Sequence, residues 1–222
     1  VPDFSGPVYL GWYRNEGSTH WLDAKIYSVS VWSSALSQTQ IQSMASDASL
    51  VEQSGLVGHW LLGQRTDGVV DDQTSSGNDG TVMGATVVSD CPAWDSGDCK
   101  NELPTCASLD FDGSDDYVEL PDSEIWAFGQ DDFTMSVWVN SDDGSGRFLQ
   151  QYQDDTHKQA FYLDSSSNLI FGLRDGGPWA EVYIPWSPTQ GVWHHVTAVR
   201  SNDIITMYVD GSVVGSSAYT TS

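Results

Sequence analysis

The chain has 222 residues, 39% of them hydrophobic, which is enough apolar material for one large all-β domain or two small ones. Its 8 Lys and Arg stand against 31 Asp and Glu, a formal charge of -23, so nucleic acid and anionic lipid are disfavoured as partners and cations are favoured. The apolar segments are too short to span a bilayer and no basic, apolar leader opens the sequence, so a mature or internal stretch without membrane insertion is expected.

In chain order, the first regular element is a helix at "SALSQTQIQSMAS" (34–46), where Ser37 can cap and Gln40 stands three residues later in capping-box spacing. One or two turns are expected. Cys91, Cys99 and Cys106 follow within "DCPAWDSGDCKNELPTC", flanked by Pro, Gly and Asp turns that suit an oxidised surface loop. One disulfide leaves one thiol over, free or bonded to another chain, and the pairing stays open. The spacing does not match a zinc knuckle.

From residue 131 onward the pattern is short alternating strands: "DDFTMSVWVN", "RFLQQYQ", "QAFYLDS", "NLIFGLRD", "AEVYIPW", "VWHHVTAVR" and "DIITMYVDGSVVGSS". Turn clusters of Gly, Asn, Asp and Ser separate them, and Asp210-Gly211 marks a two-residue hairpin. The pattern predicts an all-β, two-sheet antiparallel sandwich with one short helix. No internal repeat occurs, so one copy of the unit is expected.

Catalytic patterns are missing. None of Glu16, Glu52, Glu102, Glu119, Glu124 or Glu181 stands in the alternating Glu/Asp arrangement of a paired-carboxylate glycosidase, and no G-x-S-x-G elbow occurs. His195, in a strand, reads as a packed core residue. The expected class is therefore non-catalytic. Ten Trp and nine Tyr invite a different chemistry, because aromatic faces stack on sugar rings. Trp12, Trp21, Trp179, Tyr183 and Trp186 are the candidates for binding carbohydrate, the competing reading being core or subunit interface.

The runs "SLDFDGSDDYVELPDSEIWAFGQDDFTMSVWVN" (108–140) and "GVWHHVTAVRSNDIITMYVDGSVVG" (191–215) resemble the first two thirds of a laminin G-like, concanavalin A-like jelly-roll domain. The closing strand and short helix of such a domain resemble "VYLGWYRNEGSTHWLDAKIYSVSVWSSALSQTQIQSM" (8–44), and its opening strand resembles "SGLVGHWLLG" (54–63). The resemblance thus implies a single jelly roll over 1–222 with the order permuted: 54–222 followed by 1–50. Three forms fit: a domain closed within one subunit, an arbitrarily framed repeat of an array, or a segment that completes a neighbouring sandwich head to tail. In the last form Val8, Leu10, Ile26, Val29 and Val31 are the complementing residues. A strand burying roughly 300 Å² of apolar area contributes on the order of 7 kcal/mol before entropy, enough to hold a polymer of such copies.

The resemblance also implies Ca²⁺ held by turn carboxylates, with Asp72 and Asn78 in "DDQTSSGND" and Asp112 and Asp115 in "FDGSDDYVEL" as ligands. The family's closing strand often reads "IDEV", whereas this sequence has "IYSV" with Tyr27 and Ser28. The resulting expectation is an extracellular or cell-surface structural or adhesive module that assembles with its own copies into a filament or array. The alternative is a monomeric, permuted lectin for cell-surface glycans.

Overall fold

The computed structural model describes residues 6–12, 21–48, 51–92, 106–128, 131–142, 145–176 and 179–218. Among them the chain forms β1 (Val8–Leu10), β2 (Asp23–Trp32), α1 (Gln38–Ser46), β3 (Leu56–Thr66), β4 (Val69–Asp72), β5 (Gly80–Met83), β6 (Thr86–Val88), β7 (Ser108–Asp112) and β8 (Tyr117–Leu120). A 3-10 turn at Glu124–Trp126 precedes β9 (Phe133–Ser141), β10 (Gly146–Asp154), β11 (His157–Leu163), β12 (Asn168–Asp175), β13 (Ala180–Pro185), β14 (Trp193–Ser201), β15 (Ile204–Val209) and β16 (Ser212–Ala218).

The strands pair antiparallel along one path, β13-β12-β11-β10-β1-β8-β5-β4-β3-β2-β9-β14-β15-β16, with β7 joined to β2 and β6 to β7. The path folds over on itself, and at its two ends Ile184 of β13 lies against Gly215 of β16. Period-2 alternation explains the layers. In β12, Leu169, Phe171 and Leu173 enter the core and Ile170, Gly172 and Arg174 take the other face. Phe148 and Phe161 of β10 and β11, and Val196, Ala198 and Met207 of β14 and β15, belong to the same core.

The segment that the sequence marks as complementing fills the sandwich of its own chain. Val8 pairs with Leu120 of β8 on one side and Gln151 of β10 on the other. Val29 sits between Trp60 of β3 and Val137 of β9. Val8, Leu10, Ile26, Val29 and Val31 are all fully buried in the main core.

Helix α1 is longer than the expected one or two turns, at nine residues, and begins at the expected cap. Ser37 Oγ accepts the Gln40 N–H, and Gln40 Oε1 accepts the Ser37 N–H at 2.9 Å. Its Ile41 and Met44 cover Trp32, Val199 and Tyr208 on the back of the sheet. The hairpin between β15 and β16 turns at Asp210 and Gly211, with φ of 48° and 75°, the left-handed pair that this turn requires. A Cβ on Gly211 would also press on Gln42 of α1.

A disulfide joins Cys91 to Cys106 and packs beside Tyr27 and Ala48. Cys99 lies outside the described residues.

Candidate functional site

The connection from β7 to β8 carries the chain from β2's side of the sandwich to β1's side, and its turn is acidic. Gly113, at φ 77°, gives its N–H to the Leu22 carbonyl at 3.0 Å, Ser114 N–H donates to Asp112 Oδ1 at 2.9 Å, and Asp112 N–H donates to Asp116 Oδ2 at 3.0 Å. These bonds gather the carboxylates of Asp112, Asp115 and Asp116, whose oxygens lie within 4.8 Å of one another. Asp112 and Asp115 are exposed and Asp116 is buried. Burial, with the charges of Asp112, Asp115 and Asp110 beside it, holds the Asp116 carboxyl above the ordinary carboxylate range. Asp110 is raised as well, by burial first and then by Asp142, Asp112 and Asp90, although Lys25 pulls it down. Hard oxygen donors crowded against their own repulsion are the donor set that Ca²⁺ takes. Asp112 and Asp115 were expected here. Asp116 was not, and its adjacency in "GSDDY" was the available signal.

An aromatic group adjoins this turn. Trp12 and Trp21 stack with centroids 5.2 Å apart and planes 9° from parallel, and they also form an isolated backbone bridge. Tyr117, the residue after Asp116, lies 5.2 Å from Trp12, and Tyr9 meets Trp12 edge-on at 4.9 Å. Gly11 runs against the Asp116 carbonyl and the Phe111 ring, leaving no room for a side chain there. Trp12, Trp21 and Tyr117 are half-buried.

Asp72 and Asn78 meet at a different turn, with Asp72 accepting four hydrogen bonds from the chain itself. Its oxygens take the N–H groups of His59, Thr74 and Asn78 and the Thr74 hydroxyl, at 2.9–3.2 Å. These two residues are not part of the three-carboxylate cluster.

A family model described as the concanavalin A-like lectin/glucanases superfamily, laminin G type, matches residues 112–222, half of the chain. The chain belongs to this superfamily. An S-layer domain-containing protein from Clostridium thermocellum is similar in structure, with a TM-score of 0.40, 20% identity, and coverage of 72% of this chain and 71% of that one. No curated protein matches.

This superfamily member separates the other expected aromatics. Trp179 lines a cavity on the sheet of β10–β13, while Tyr183 stands 51% exposed on β13. Trp186 packs against the core and meets His194 edge-on. His195 is buried against Trp138, as a core residue should be, and burial lowers its pKa to about 4 although the Asp210 charge pulls upward. None of the described helices is long and apolar enough to cross a membrane.

Proposed function

We propose that the chain is an extracellular, non-catalytic recognition domain that binds Ca²⁺ at Asp112, Asp115 and Asp116 and presents the neighbouring aromatic group to glycans. One observation carries this reading: three converging carboxylates run directly into the Trp12, Trp21 and Tyr117 group. A bound divalent ion relieves the carboxylate repulsion and offers coordination positions to sugar hydroxyls, while the indole rings offer apolar faces. The Cys91–Cys106 disulfide supports an oxidising compartment. The domain is closed within one chain in permuted order, a reading supported by β1 lying between β8 and β10 and β2 between β3 and β9.

The test is calcium titration calorimetry together with a glycan array read with and without Ca²⁺. Binding of about one ion, lost in Asp115→Asn, and glycan signals that vanish with chelator and in Trp12→Ala are expected. Absence of Ca²⁺ binding by the intact chain would overturn the reading.

A second reading, assembly with further copies, is supported by the edge strand β16 and the exposed Ile204, Val213 and Val214 beside its open backbone. Exchange of residues 1–50 would place the same five buried side chains in a neighbour's identical core, so it keeps their burial but needs the chain to open first. Sedimentation velocity of wild type and Val213→Lys distinguishes the two: concentration-dependent growth suppressed by the lysine supports edge association, and a single monomeric species in both removes it.

A further inference from the structure

Positive charge is scarce in this chain and unevenly placed. Three of its 8 Lys and Arg, namely Arg147, Lys158 and Arg174, line one cavity of about 270 Å³. The cavity lies on the outer face of β10, β11 and β12. Lys158 and Tyr162 alternate there with Phe161 and Leu163, which face the core, and register places Lys158 beside Arg174 and Arg147 beside Tyr162.

The cations are held in place by their surroundings. The Arg147 guanidinium lies over the Tyr162 ring, 3.4 Å from its centroid. Arg174 Nη1 donates to the Asp155 carbonyl at 2.8 Å, and the Lys158 ammonium sits 5.8 Å from the Trp179 ring. Trp179 is itself oriented, with its Nε1–H on Glu181 Oε2 at 2.8 Å and its ring laid over Gly172, where a Cβ would collide with it. In a chain with 31 acids, no carboxylate lines this cavity among the described residues; at its edge the exposed Asp155 carboxylate pairs with Lys158 at 3.6 Å, a contact that an anionic ligand would replace.

A second observation points to a ligand. Gln150, which also lines the cavity, is 1% exposed, and its Oε1 has no hydrogen-bond partner among the described residues. A buried carbonyl oxygen without a donor is costly unless something entering the cavity donates to it. Cations, flat aromatic faces and an unpaired amide acceptor together match a sugar ring bearing an anionic group. The acid takes Lys158 and Arg174, a hydroxyl donates to Gln150, and the apolar ring face meets Trp179 or Tyr162. At less than the roughly 300 Å³ of a drug-sized pocket, the cavity encloses a single residue rather than a chain.

We propose that this cavity is a subsite for a saccharide residue carrying a carboxylate or a sulfate, independent of the Ca²⁺ site. The experiment is calorimetry of the whole chain in chelator with four probes: trigalacturonate, its methyl ester, a singly sulfated galactan trisaccharide and a glutamate-rich peptide. At least one anionic sugar should bind roughly tenfold tighter than the neutral ester, the scale of a charge-assisted hydrogen bond. Which of the two binds identifies the acid as carboxylate or sulfate. Lys158→Gln and Arg174→Gln, whose side chains end at the surface, should each remove most of that preference while melting like wild type. Equal affinity for ester and acid, no binding of any sugar, tighter binding of the peptide, or variants that bind as wild type would overturn the proposal. So would sugar binding that requires Ca²⁺ and fails in Asp115→Asn, since that result moves the ligand to the acidic turn.

Discussion

The carboxylate of Asp72 accepts the backbone N–H of Asn78 at 3.1 Å, and the carbonyl of Asn78 in turn accepts the indole N–H of buried Trp60 at 2.8 Å. This pair therefore ties the turn after β4 to the central core. Asp72→Ala leaves the buried N–H groups of His59 and Asn78 without an acceptor, and a loss on the order of 3 kcal/mol is expected in urea denaturation. Ca²⁺ affinity should not change. A variant of wild-type stability, or one that no longer binds Ca²⁺, would assign Asp72 a different role.

The acidic turn carries a pH signature opposite to that of a salt-bridged carboxylate. Because the folded pKa of Asp116 is raised, the metal-free fold is favoured below the ordinary carboxylate range and loses that contribution as pH rises through the raised value. In chelator, Asp116→Asn should thus be more stable than wild type at about pH 7 and equal to it at about pH 3. Added Ca²⁺ reverses the order. At a hundredfold excess over Kd it stabilises wild type by about 2.7 kcal/mol and Asp115→Asn by nothing measurable. Thermal melts across pH, with and without Ca²⁺, read both effects.

His195 supplies a second, independent titration. Its folded pKa of about 4 lies below the ordinary value of 6.5, so its contribution to stability is complete above 6.5 and is lost as pH falls toward 4. The full loss is about 3 kcal/mol. His195→Gln, which cannot protonate, should flatten the stability profile between those limits. Retention of the wild-type slope in that variant would place the titrating group elsewhere.

Removal of residues 1–32 takes away β1 and β2, and with β2 the strand between β3 and β9. The shortened chain should lack a cooperative thermal transition and bind a dye for exposed apolar surface, and a synthetic 1–32 peptide should restore the transition and abolish the dye binding. The single change Ile26→Ala, at a fully buried site, should cost about 3 kcal/mol. A deletion variant that melts like the full chain would mean that these strands are dispensable.

Much of the strand pattern was legible because alternation survives in strands buried on one face, as in "NLIFGLRD", and because Asp-Gly specifies its hairpin. The cap of α1 was legible for the same local reason. Ligand sets were less so. Asp and Asn organise turns and bind cations with the same oxygens, so Asp72 and Asp112 look alike until the donors around each are known. Asp116 adjoins Asp115 in the sequence, but only the structure shows its carboxylate turned back to Asp112. The cavity of Arg147, Lys158 and Arg174 was invisible, since only strand register brings those cations together. Cysteine pairing had no local signal at all.

The position of β2 matters for how the chain is made. Leu36, just past β2, hydrogen-bonds Thr134, 98 residues further on, and Gln151 reaches back 145 residues to Gly6. At about 5–20 residues per second, a ribosome that has finished β2 needs roughly 5–20 s more to deliver β9. Throughout that interval a strand with seven consecutive buried positions lacks β9, one of the three strands it finally pairs with. Nascent chains of this protein thus present their stickiest segment early and shield it late, which makes the interval of synthesis, rather than the finished fold, the point at which a holding chaperone has something to grip.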